Sequence, residues 1–138
     1  MSLYNVFDVA GSGMSAQSLR LNVTASNLAN ANSISSSAED TYRGRHPVFA
    51  AELQKAAANN QESVSVKVLG IVEDQDPLQQ EYNPNHPMAD KDGYIYKPNV
   101  NVMEEMANMI SASRSYQTNV QVADAAKQML IKTLQLGK

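Results

Sequence analysis

The sequence contains no cysteine and no tryptophan, and only 18% of its residues are charged. Without cysteine there is no disulfide framework and no thiolate zinc site. A net charge of -3 leaves no basic surface for nucleic acid or anionic lipid. No apolar run reaches membrane-spanning length, and the amino terminus lacks the basic start and apolar core of a signal peptide. Composition alone therefore predicts a cytoplasmic protein that binds no nucleic acid and does not insert into a membrane.

Charged side chains are scarcest near the two ends of the chain. Residues 1–38 contain only Asp8 and Arg20, and residues 106–123 contain only Arg114. Solvated helix faces normally carry Lys and Glu, whereas Ser, Asn, Gln and Thr replace them here. These residues hydrogen-bond to a neighbour without the desolvation cost of an ion. We infer that helices at both ends are contacted on more than one side.

Apolar residues recur every seven positions in both end segments. Such a repeat keeps one helix face against neighbouring helices over several turns, so we predict helices over 3–31 and 101–136, about 43 and 54 Å long. The remaining residues cannot enclose both helices, so the monomer is expected to be incomplete alone. The repeats are Phe7, Met14, Leu21 and Leu28, and Val102, Met109, Tyr116, Ala123 and Leu130, with Gly11, Ser18, Ala25, Met106, Ser113, Val120, Lys127 and Leu134 four positions further along.

The middle of the chain predicts short strands and loops. Residues 63–73 show the clearest strand pattern, because Val64, Val66 and Val68 alternate with polar residues, and one face is expected to be buried. The other expectations are an irregular or edge strand over 41–49, a short helix or flexible tether over 50–59, turns over 76–87 and a strand over 94–96.

The predicted fold class is therefore mainly α. Long N-terminal and C-terminal helices pack as an antiparallel coiled-coil-like pair, with a small, partly β middle segment. We divide the chain into an N-terminal core helix over 1–32, a middle segment over 33–98 and a C-terminal core helix over 99–138.

Two patterns invite a metal hypothesis. Asp90-Lys91-Asp92-Gly93 is similar to a calcium loop, but Met88 and Asn99 then stand where carboxylates are required, so an acidic turn is favoured. His46 and His86 are the only histidines, and no spacing supplies a third ligand. We expect no metal and no cofactor.

No pattern indicates catalysis. No serine lies in a Gly-x-Ser-x-Gly motif, and Gly11-Ser12-Gly13 lies within the helical repeat, where close packing or a kink explains it. Glu104 and Glu105 fall in the first turns of a helix, where they complement the macrodipole. We expect no catalytic residue.

The chain's candidate functional residues are therefore those of subunit interfaces. Arg114 is favoured as a hydrogen-bonding or ion-pairing group between subunits, with a solvent-facing role as the alternative. Asn22, Asn27, Asn30 and Gln117 are candidates for fixing helix register, or else they cap helices or line a channel. The predicted interface residues are Phe7, Met14, Leu21, Asn22, Asn27, Leu28, Asn30, Val102, Met106, Met109, Arg114, Tyr116, Val120, Leu130 and Leu134.

Residues 13–32, GMSAQSLRLNVTASNLANAN, resemble the amino-terminal motif of the bacterial flagellar rod, hook and hook-associated family, and the chain looks most like its proximal rod type. The resemblance covers nearly the whole chain and is weakest over 52–62. Distal rod and hook relatives often follow the motif with Thr-x-Gly-Tyr, whereas Ser33–Ser37 intervenes here. Further matching segments are Tyr4–Asp8, Tyr42-Arg43, Val72–Asp74, Pro87–Asp90 with Gly93-Tyr94, Pro98–Val100, Ser111–Val120 and Lys132–Leu134.

This resemblance implies a structural subunit that assembles helically, links the membrane ring to the distal rod and hook, and transmits torque. The implied partners are other copies, other rod proteins, membrane-ring and adaptor proteins of the basal body, and the flagellar type III export apparatus. The resemblance also implies a location in the periplasmic part of the rod, reached by export without a cleaved signal peptide. This location differs from the cytoplasm that composition alone predicts.

Two alternatives remain at this point. An adaptor or chaperone-like coiled-coil module of the flagellar export and assembly system would show the same heptads. A cell-wall hydrolase would need converging carboxylates, and the sequence offers no cluster beyond Glu73, Asp74 and Asp76.

Overall fold

A computed structural model describes residues 3–55 and 62–137 of the chain. Two long terminal helices flank a small middle part made of antiparallel strands, so the prediction of a mainly α protein with a partly β middle is confirmed. The elements are α1 (Leu3–Asn30), β1 (Arg45–Lys55), β2 (Glu62–Glu73), β3 (Gln79–Tyr82), β4 (Tyr94–Lys97) and α2 (Val102–Leu136).

Helix α2 begins where its sequence provides a cap. The Asn101 side chain accepts hydrogen bonds from the N–H groups of Met103 and Glu104, which would otherwise lack partners. Glu104 and Glu105 lie in the first turn, where negative charge offsets the partial positive charge of the helix start. The helix runs without interruption to Leu136.

The two helices pack along small residues and run in opposite directions. A Cβ added to Gly13 would lie 2.7 Å from Asn119 Nδ2, so α1 and α2 approach closely there. Further along α1, Arg20 Nη2 donates to Asn108 Oδ1 at 2.8 Å. Because the α1 number rises as the α2 number falls, the pair is antiparallel.

The buried line of each helix lies beside the predicted stripe of large residues. Small side chains bring the helix axes together, and the large residues then lie on the flanks, where they are half-buried or exposed. The buried residues are Ala10, Gly13, Ala16, Val23, Thr24 and Asn27 on α1, and Glu105, Ala112 and Ala126 on α2.

Strands β1 and β2 form an antiparallel two-stranded ribbon that lies along α1. Near its base Arg45 contacts Asn27, and further out the Val66 N–H donates to Ser12 Oγ at 3.1 Å. The pairing shifts between Val48 and Phe49, which indicates a β-bulge. The ribbon therefore runs from the end of α1 towards its start.

Two expectations for this ribbon are wrong. Residues 50–55 belong to strand β1 rather than to a helix, because pairing with the valine-rich β2 outweighs the helix propensity of the alanines; residues 56–59 lie outside the described part. Strand β2 is confirmed, but its expected buried face is not: Val64 and Val66 are exposed, and Val68 is half-buried. A two-stranded ribbon has no second layer to cover that face.

The second hairpin, β3 with β4, folds against the loop that follows α1. Strand β4 was expected and β3 was not. Gly93 has a φ of +84°, a left-handed conformation that suits glycine in the turn before β4. Tyr96 exchanges two backbone hydrogen bonds with Ser35, at 3.0 and 3.1 Å. Ile95 is thereby buried, and the hairpin is tied to the base of the helix pair.

Candidate assembly surfaces and the junction that positions them

A buried amide joins the end of α1 to the start of β1. The Asn27 side chain is 1% exposed. Its Oδ1 accepts from Tyr42 Oη at 2.8 Å and from the Arg45 N–H at 3.0 Å, while its Nδ2 donates to the Arg45 carbonyl at 2.8 Å. The Arg45 guanidinium lies 5.4 Å from the centre of the Tyr42 ring. These contacts fix the direction in which the ribbon leaves the helix.

A second asparagine joins the start of α2 to the same place. Asn99 Oδ1 accepts from the Gly44 N–H at 2.8 Å, and its Nδ2 donates to the Asp76 carbonyl at 3.1 Å. Arg43 Nη1 also donates to the Asp76 carbonyl, at 3.2 Å. We call the group Asn27, Tyr42, Arg43, Gly44, Arg45, Asp74, Asp76 and Asn99 the junction.

A small cavity lies beside the junction. It has a volume of about 270 Å³ and is lined by residues from α1, β1 and α2, including Arg20, Arg45 and His46. Arg45 is paired with Glu73 at 3.1 Å, and His46 Nε2 lies 3.8 Å from Asp74. These side chains provide hydrogen-bond donors but no nucleophile paired with a base. The cavity therefore combines hydrogen-bond donors with the apolar side chains of Pro47 and Phe49.

Helix α2 presents an apolar face away from α1. Glu105 and Ala112 are buried on the side towards α1. The exposed large residues of the opposite face are Met103 at 76%, Met106 at 49% and Ile110 at 56%. Their spacing of three and four places them on one line of the helix surface, which we call the open face. Apolar side chains exposed in such a line are typical of an interaction surface.

The predicted interface residues fall into three groups within one chain. Asn27 alone is buried, and its contacts are within the chain. Half-buried residues are Phe7, Met14, Leu21, Leu28, Asn30, Met109, Val120 and Leu130. Exposed residues are Asn22, Val102, Met106, Arg114, Tyr116 and Leu134. Their contacts with other subunits stay predictions.

The polar candidates have different surroundings. Asn30 Nδ2 donates to the Ser26 carbonyl at 2.8 Å, a local bond within α1. Asn22 and Gln117 are exposed. The Arg114 side chain is also exposed, and no ion pair includes it among the described residues.

The acidic turn at 90–93 is organised by Asp90. Its Oδ1 accepts from the N–H groups of Asp92 at 2.9 Å and Tyr94 at 2.8 Å, and its Oδ2 accepts from Tyr96 Oη at 3.3 Å. The pKa of Asp90 is lowered from 3.8, and the hydrogen bond from the Tyr94 N–H is the largest cause. Burial and the Asp90 charge raise the pKa of Tyr96. The Asp90 carboxylate thus accepts hydrogen bonds from the turn and strand that directly follow it.

The histidines have separate local surroundings. His86 Nδ1 accepts from the Met88 N–H at 3.1 Å, whereas His46 lies near Asp74. Across residues 3–55 and 62–137, no three His, Asp or Glu side chains group closely enough to hold a metal ion. Over the same ranges, neither helix combines the length and apolarity needed to cross a bilayer.

Sequence reasoning did not find the junction. Its hydrogen-bonded members lie up to 55 positions apart, as Gly44 and Asn99 do, and no periodicity links them. The one available signal was the resemblance itself, since the matching segments Tyr42-Arg43, Val72–Asp74 and Pro98–Val100 meet at the junction.

Family models match both ends of the chain. One described as "Flagella basal body rod protein" matches residues 7–33, and one described as "Flagellar basal body rod FlgEFG protein C-terminal" matches residues 91–136. The first range covers most of α1 and the second includes all of α2. Both helices therefore have the sequence character of flagellar basal-body rod proteins.

Full-length relatives identify the particular group. The flagellar basal-body rod protein FlgC of Salmonella typhimurium is 49% identical over 138 residues, and that of Yersinia enterocolitica is also 49% identical, each alignment covering all of both chains. FlgC of Buchnera aphidicola subsp. Acyrthosiphon pisum is 44% identical over 140 residues, with the same full coverage. The chain belongs to the FlgC family of flagellar basal-body rod proteins, and the resemblance noted in its sequence is confirmed.

Proposed function

We propose that this chain is a structural subunit of the flagellar proximal rod, which assembles helically, links the membrane ring to the distal rod and hook, and transmits torque. The observation that carries the proposal is the open face of α2. Met103, Met106 and Ile110 lie on the side of α2 that α1 does not cover. Membership of the FlgC family supports a structural role in the rod.

Torque is transmitted if each subunit contacts several others through many modest contacts. Burial of one apolar side chain contributes about 1.5–3 kcal/mol. Ordering of side chains and loss of rigid-body freedom offset most of this gain. Load is then shared among many contacts, and the stability of each subunit in the rod depends on its neighbours.

The interface we propose uses the predicted residues of both helices. In each subunit α1 and α2 pack as an antiparallel coiled-coil-like pair, and the half-buried large residues at its flanks, such as Leu21, Met109 and Leu130, contact neighbouring pairs. The core helices over 1–32 and 99–138 form the inner part of the rod, and residues 33–98 form the outer part. The junction holds these two parts at a fixed angle, supported by the contacts of Asn27 and Asn99.

The proposed partners are other copies, other rod proteins, and membrane-ring and adaptor proteins of the basal body. The proposed location is the periplasmic part of the rod, reached through the flagellar type III export apparatus without a cleaved signal peptide. We propose no enzymatic activity, because two of the three neighbouring carboxylates are engaged in structural bonds. Asp74 Oδ1 accepts from the Asp76 N–H at 2.9 Å, and Glu73 pairs with Arg45 at 3.1 Å. An adaptor role in export is not favoured, because the relatives match as rod proteins along their whole length.

The test is Met106→Asp in cells that lack the native gene. Met106 is half-exposed, so the monomer should fold normally, which circular dichroism and thermal unfolding of the purified variant would show. In cells, we expect the variant to be exported but absent from isolated basal bodies, with motility lost. Lys91→Glu, at an exposed position of the hairpin turn, is the control. Normal basal bodies and swimming with Met106→Asp would contradict the proposal.

A further inference from the structure

The cavity of about 270 Å³ beside the junction lies where three elements meet. Arg20 and Thr24 line it from α1, Asn108 lines it from α2, and Arg45 and His46 belong to the β1 segment that completes the wall. None of the described residues that line it is acidic. The cavity therefore offers hydrogen-bond donors from three separate elements and no negative charge.

Arg20 carries a positive charge that no carboxylate balances within the described chain. Its side chain is half-buried, and its Nη2 donates to Asn108 Oδ1, a neutral amide oxygen, at 2.8 Å. None of the ion pairs among the described residues includes Arg20 or Glu105, which is buried about one turn before Asn108 on α2. A charge partly removed from water is destabilising unless an opposite charge accompanies it. An anion in the cavity would supply that charge.

The other two basic side chains of the cavity already have acidic neighbours. Arg45 Nη2 lies 3.1 Å from Glu73 Oε1, and His46 Nε2 lies 3.8 Å from Asp74 Oδ2. The cavity therefore has an excess of one positive charge, from Arg20. A carboxylate carries one negative charge and matches this excess, whereas a phosphoryl group carries about 1.5 to 2 at pH 7.

Two further donors at the cavity have no partner within the described chain. Asn108 Oδ1 accepts from Arg20, whereas Asn108 Nδ2 makes no hydrogen bond there. Thr24 is 4% exposed, and its hydroxyl makes none either. That hydroxyl is not sealed off, since among the described residues only Gln17 Oε1 is a fully enclosed side-chain polar atom without a partner. The Thr24 hydroxyl therefore opens towards the cavity that Thr24 lines.

The remaining wall of the cavity is apolar. Pro47 and the half-buried Phe49 line it from β1. Apolar walls with a few converging polar groups are typical of ligand sites, and a volume near the lower limit of about 300 Å³ favours a small ligand. The carbon atoms next to a carboxylate would lie against Pro47 and Phe49.

We propose that this cavity binds a single carboxylate attached to an aliphatic carbon chain, supplied by an acidic side chain of a bound protein or by a small free acid. Arg20 supplies the opposite charge, and Asn108 Nδ2 and the Thr24 hydroxyl donate to the carboxylate oxygens. Because α1, α2 and β1 each provide part of the wall, the bound carboxylate holds the ribbon against the helix pair. Binding to the purified chain is independent of the proposed rod function.

NMR titration of the purified full chain with butyrate tests the site. We expect saturable shifts at Arg20, Thr24 and Asn108. Butyramide, the neutral analogue, should bind at least about tenfold more weakly, because the hydrogen bonds to it are no longer charge-assisted. Inorganic phosphate should also bind more weakly than butyrate. Shifts that do not saturate, or affinities for butyramide or phosphate equal to that for butyrate, would overturn the proposal.

Two substitutions at Thr24 separate binding from folding. Thr24→Val removes the hydroxyl at nearly constant size and should weaken butyrate binding about threefold to tenfold, because one donor is lost. Thr24→Ser keeps the hydroxyl and should bind butyrate like the unmodified chain. Circular dichroism would show that both variants fold. Equal butyrate affinities of the folded Thr24→Val and Thr24→Ser variants would contradict the proposed site.

Arg20→Lys identifies the source of the carboxylate. The substitution places a primary amine at the cavity, and a carbodiimide joins such an amine to a neighbouring carboxylate as an amide, while the displaced oxygen leaves in the urea that forms. A permeable carbodiimide would be added to cells that express the variant, and the modified chain would be analysed by mass spectrometry. The unmodified chain is the control, because a guanidinium does not form this amide.

A peptide of another molecule joined at position 20 would support a protein carboxylate, and a small added mass there would support a free acid. Amide formation with Glu105 of the same chain, or no joined product above the control, would overturn the proposal. If the chain were absent from basal bodies, the proposed rod function would fail, whereas the butyrate titration of the purified chain would still decide whether the cavity binds a carboxylate.

Discussion

Asn27 and Arg45 are joined by two hydrogen bonds that run in opposite directions, one from the Asn27 amide to the Arg45 carbonyl at 2.8 Å and one from the Arg45 N–H to Asn27 Oδ1 at 3.0 Å. The Asn27 side chain thus pairs with the first residue of β1 as a strand backbone would. Because α1 can present only side chains, an amide suits this place, since it offers a donor nitrogen and a separate acceptor oxygen. Asn27 is therefore one of the residues that set the angle between helix and ribbon.

Asn27→Ala should therefore lower the free energy of unfolding of the isolated chain by about 1–3 kcal/mol, because the Arg45 N–H and carbonyl lose their hydrogen bonds to Asn27. The Tyr42 hydroxyl loses one bond but keeps Ser26 Oγ at 3.3 Å. Chemical denaturation monitored by circular dichroism would measure the change. Asn22→Ala is the matched control, since Asn22 is exposed on the same helix. Equal stabilities of the two variants would contradict the role given to Asn27.

The comparison of sequence and structure separates local from long-range information. The seven-residue repeats specify helices within single segments, so both helix ranges could be predicted to within one or two residues. The partner of a strand lies elsewhere in the chain, and Ala50 could be read as helical because nothing nearby indicates its pairing with Lys67. The prediction that one face of β2 is buried was wrong for a related reason. Alternation of polar and apolar residues identifies the two faces of a strand but does not show what covers them.

Asn27 shows the same limit within the candidate site. Its place in a neutral helix suggested a contact between helices, whereas its partners Tyr42 and Arg45 lie in the connection to the ribbon. The chemistry of the residue was evident from sequence, and its partner was not.

Gly13→Ala and Gly11→Ala should have opposite effects. Both replace glycine within α1, which favours the helix by about 0.5–1 kcal/mol. A Cβ at Gly11 meets nothing within 4 Å, whereas one at Gly13 meets Asn119 Nδ2 at 2.7 Å. Gly11→Ala should therefore raise the melting temperature of the isolated chain, and Gly13→Ala should lower it, since overpacking costs about 1–3 kcal/mol.

The origin of the Gly13 effect can be checked with Asn119→Ala, which removes the obstructing side chain. Combined with Gly13→Ala, it should recover most of the loss, measured as a coupling energy in a double-mutant cycle. Additive effects of the two substitutions would show that close approach at this point is not the cause.

Asp90 should titrate below its ordinary range, because the Tyr94 N–H bond lowers its pKa from 3.8. A lowered pKa in the folded state gives stability that is present above the unfolded value and lost as pH falls through the folded value. The β3–β4 hairpin should therefore stay intact at pH 5 and loosen only below about pH 4. NMR titration of the Asp90 carboxyl carbon would measure its midpoint.

Tyr96→Phe provides the matched variant for that titration. It removes the hydroxyl that donates to Asp90 Oδ2, so the midpoint should move upward towards 3.8. A midpoint at or above 3.8 in the unmodified chain would rule out the arrangement of donors around Asp90.

Replacement of both histidines should leave assembly intact. His46 is exposed near Asp74, and His86 accepts one bond within its own turn, so His46→Gln with His86→Gln should change the free energy of unfolding by less than about 1 kcal/mol. Motility in soft agar and the yield of basal bodies would measure function, and elemental analysis would measure bound metal. Loss of a stoichiometric metal together with loss of assembly would reverse the assignment.

The last residues of α2, 130–136, should be the least protected part of that helix in the isolated chain. Ala112 and Ala126 are buried, whereas residues 131–136 are all exposed, so the hydrogen bonds of this end open without uncovering buried side chains. Ordinary fraying affects only the last turn, which makes the amides of Leu130, Ile131 and Lys132 the informative ones. We expect these to exchange at least about tenfold faster than that of Ala126.

Hydrogen exchange measured by NMR on the monomer, and by mass spectrometry on isolated basal bodies, should show this difference disappear on assembly. Equal protection of Ala126 and Ile131 in the monomer would mean that the end of α2 is stable without a neighbour, and the reason to expect a second molecule there would be lost.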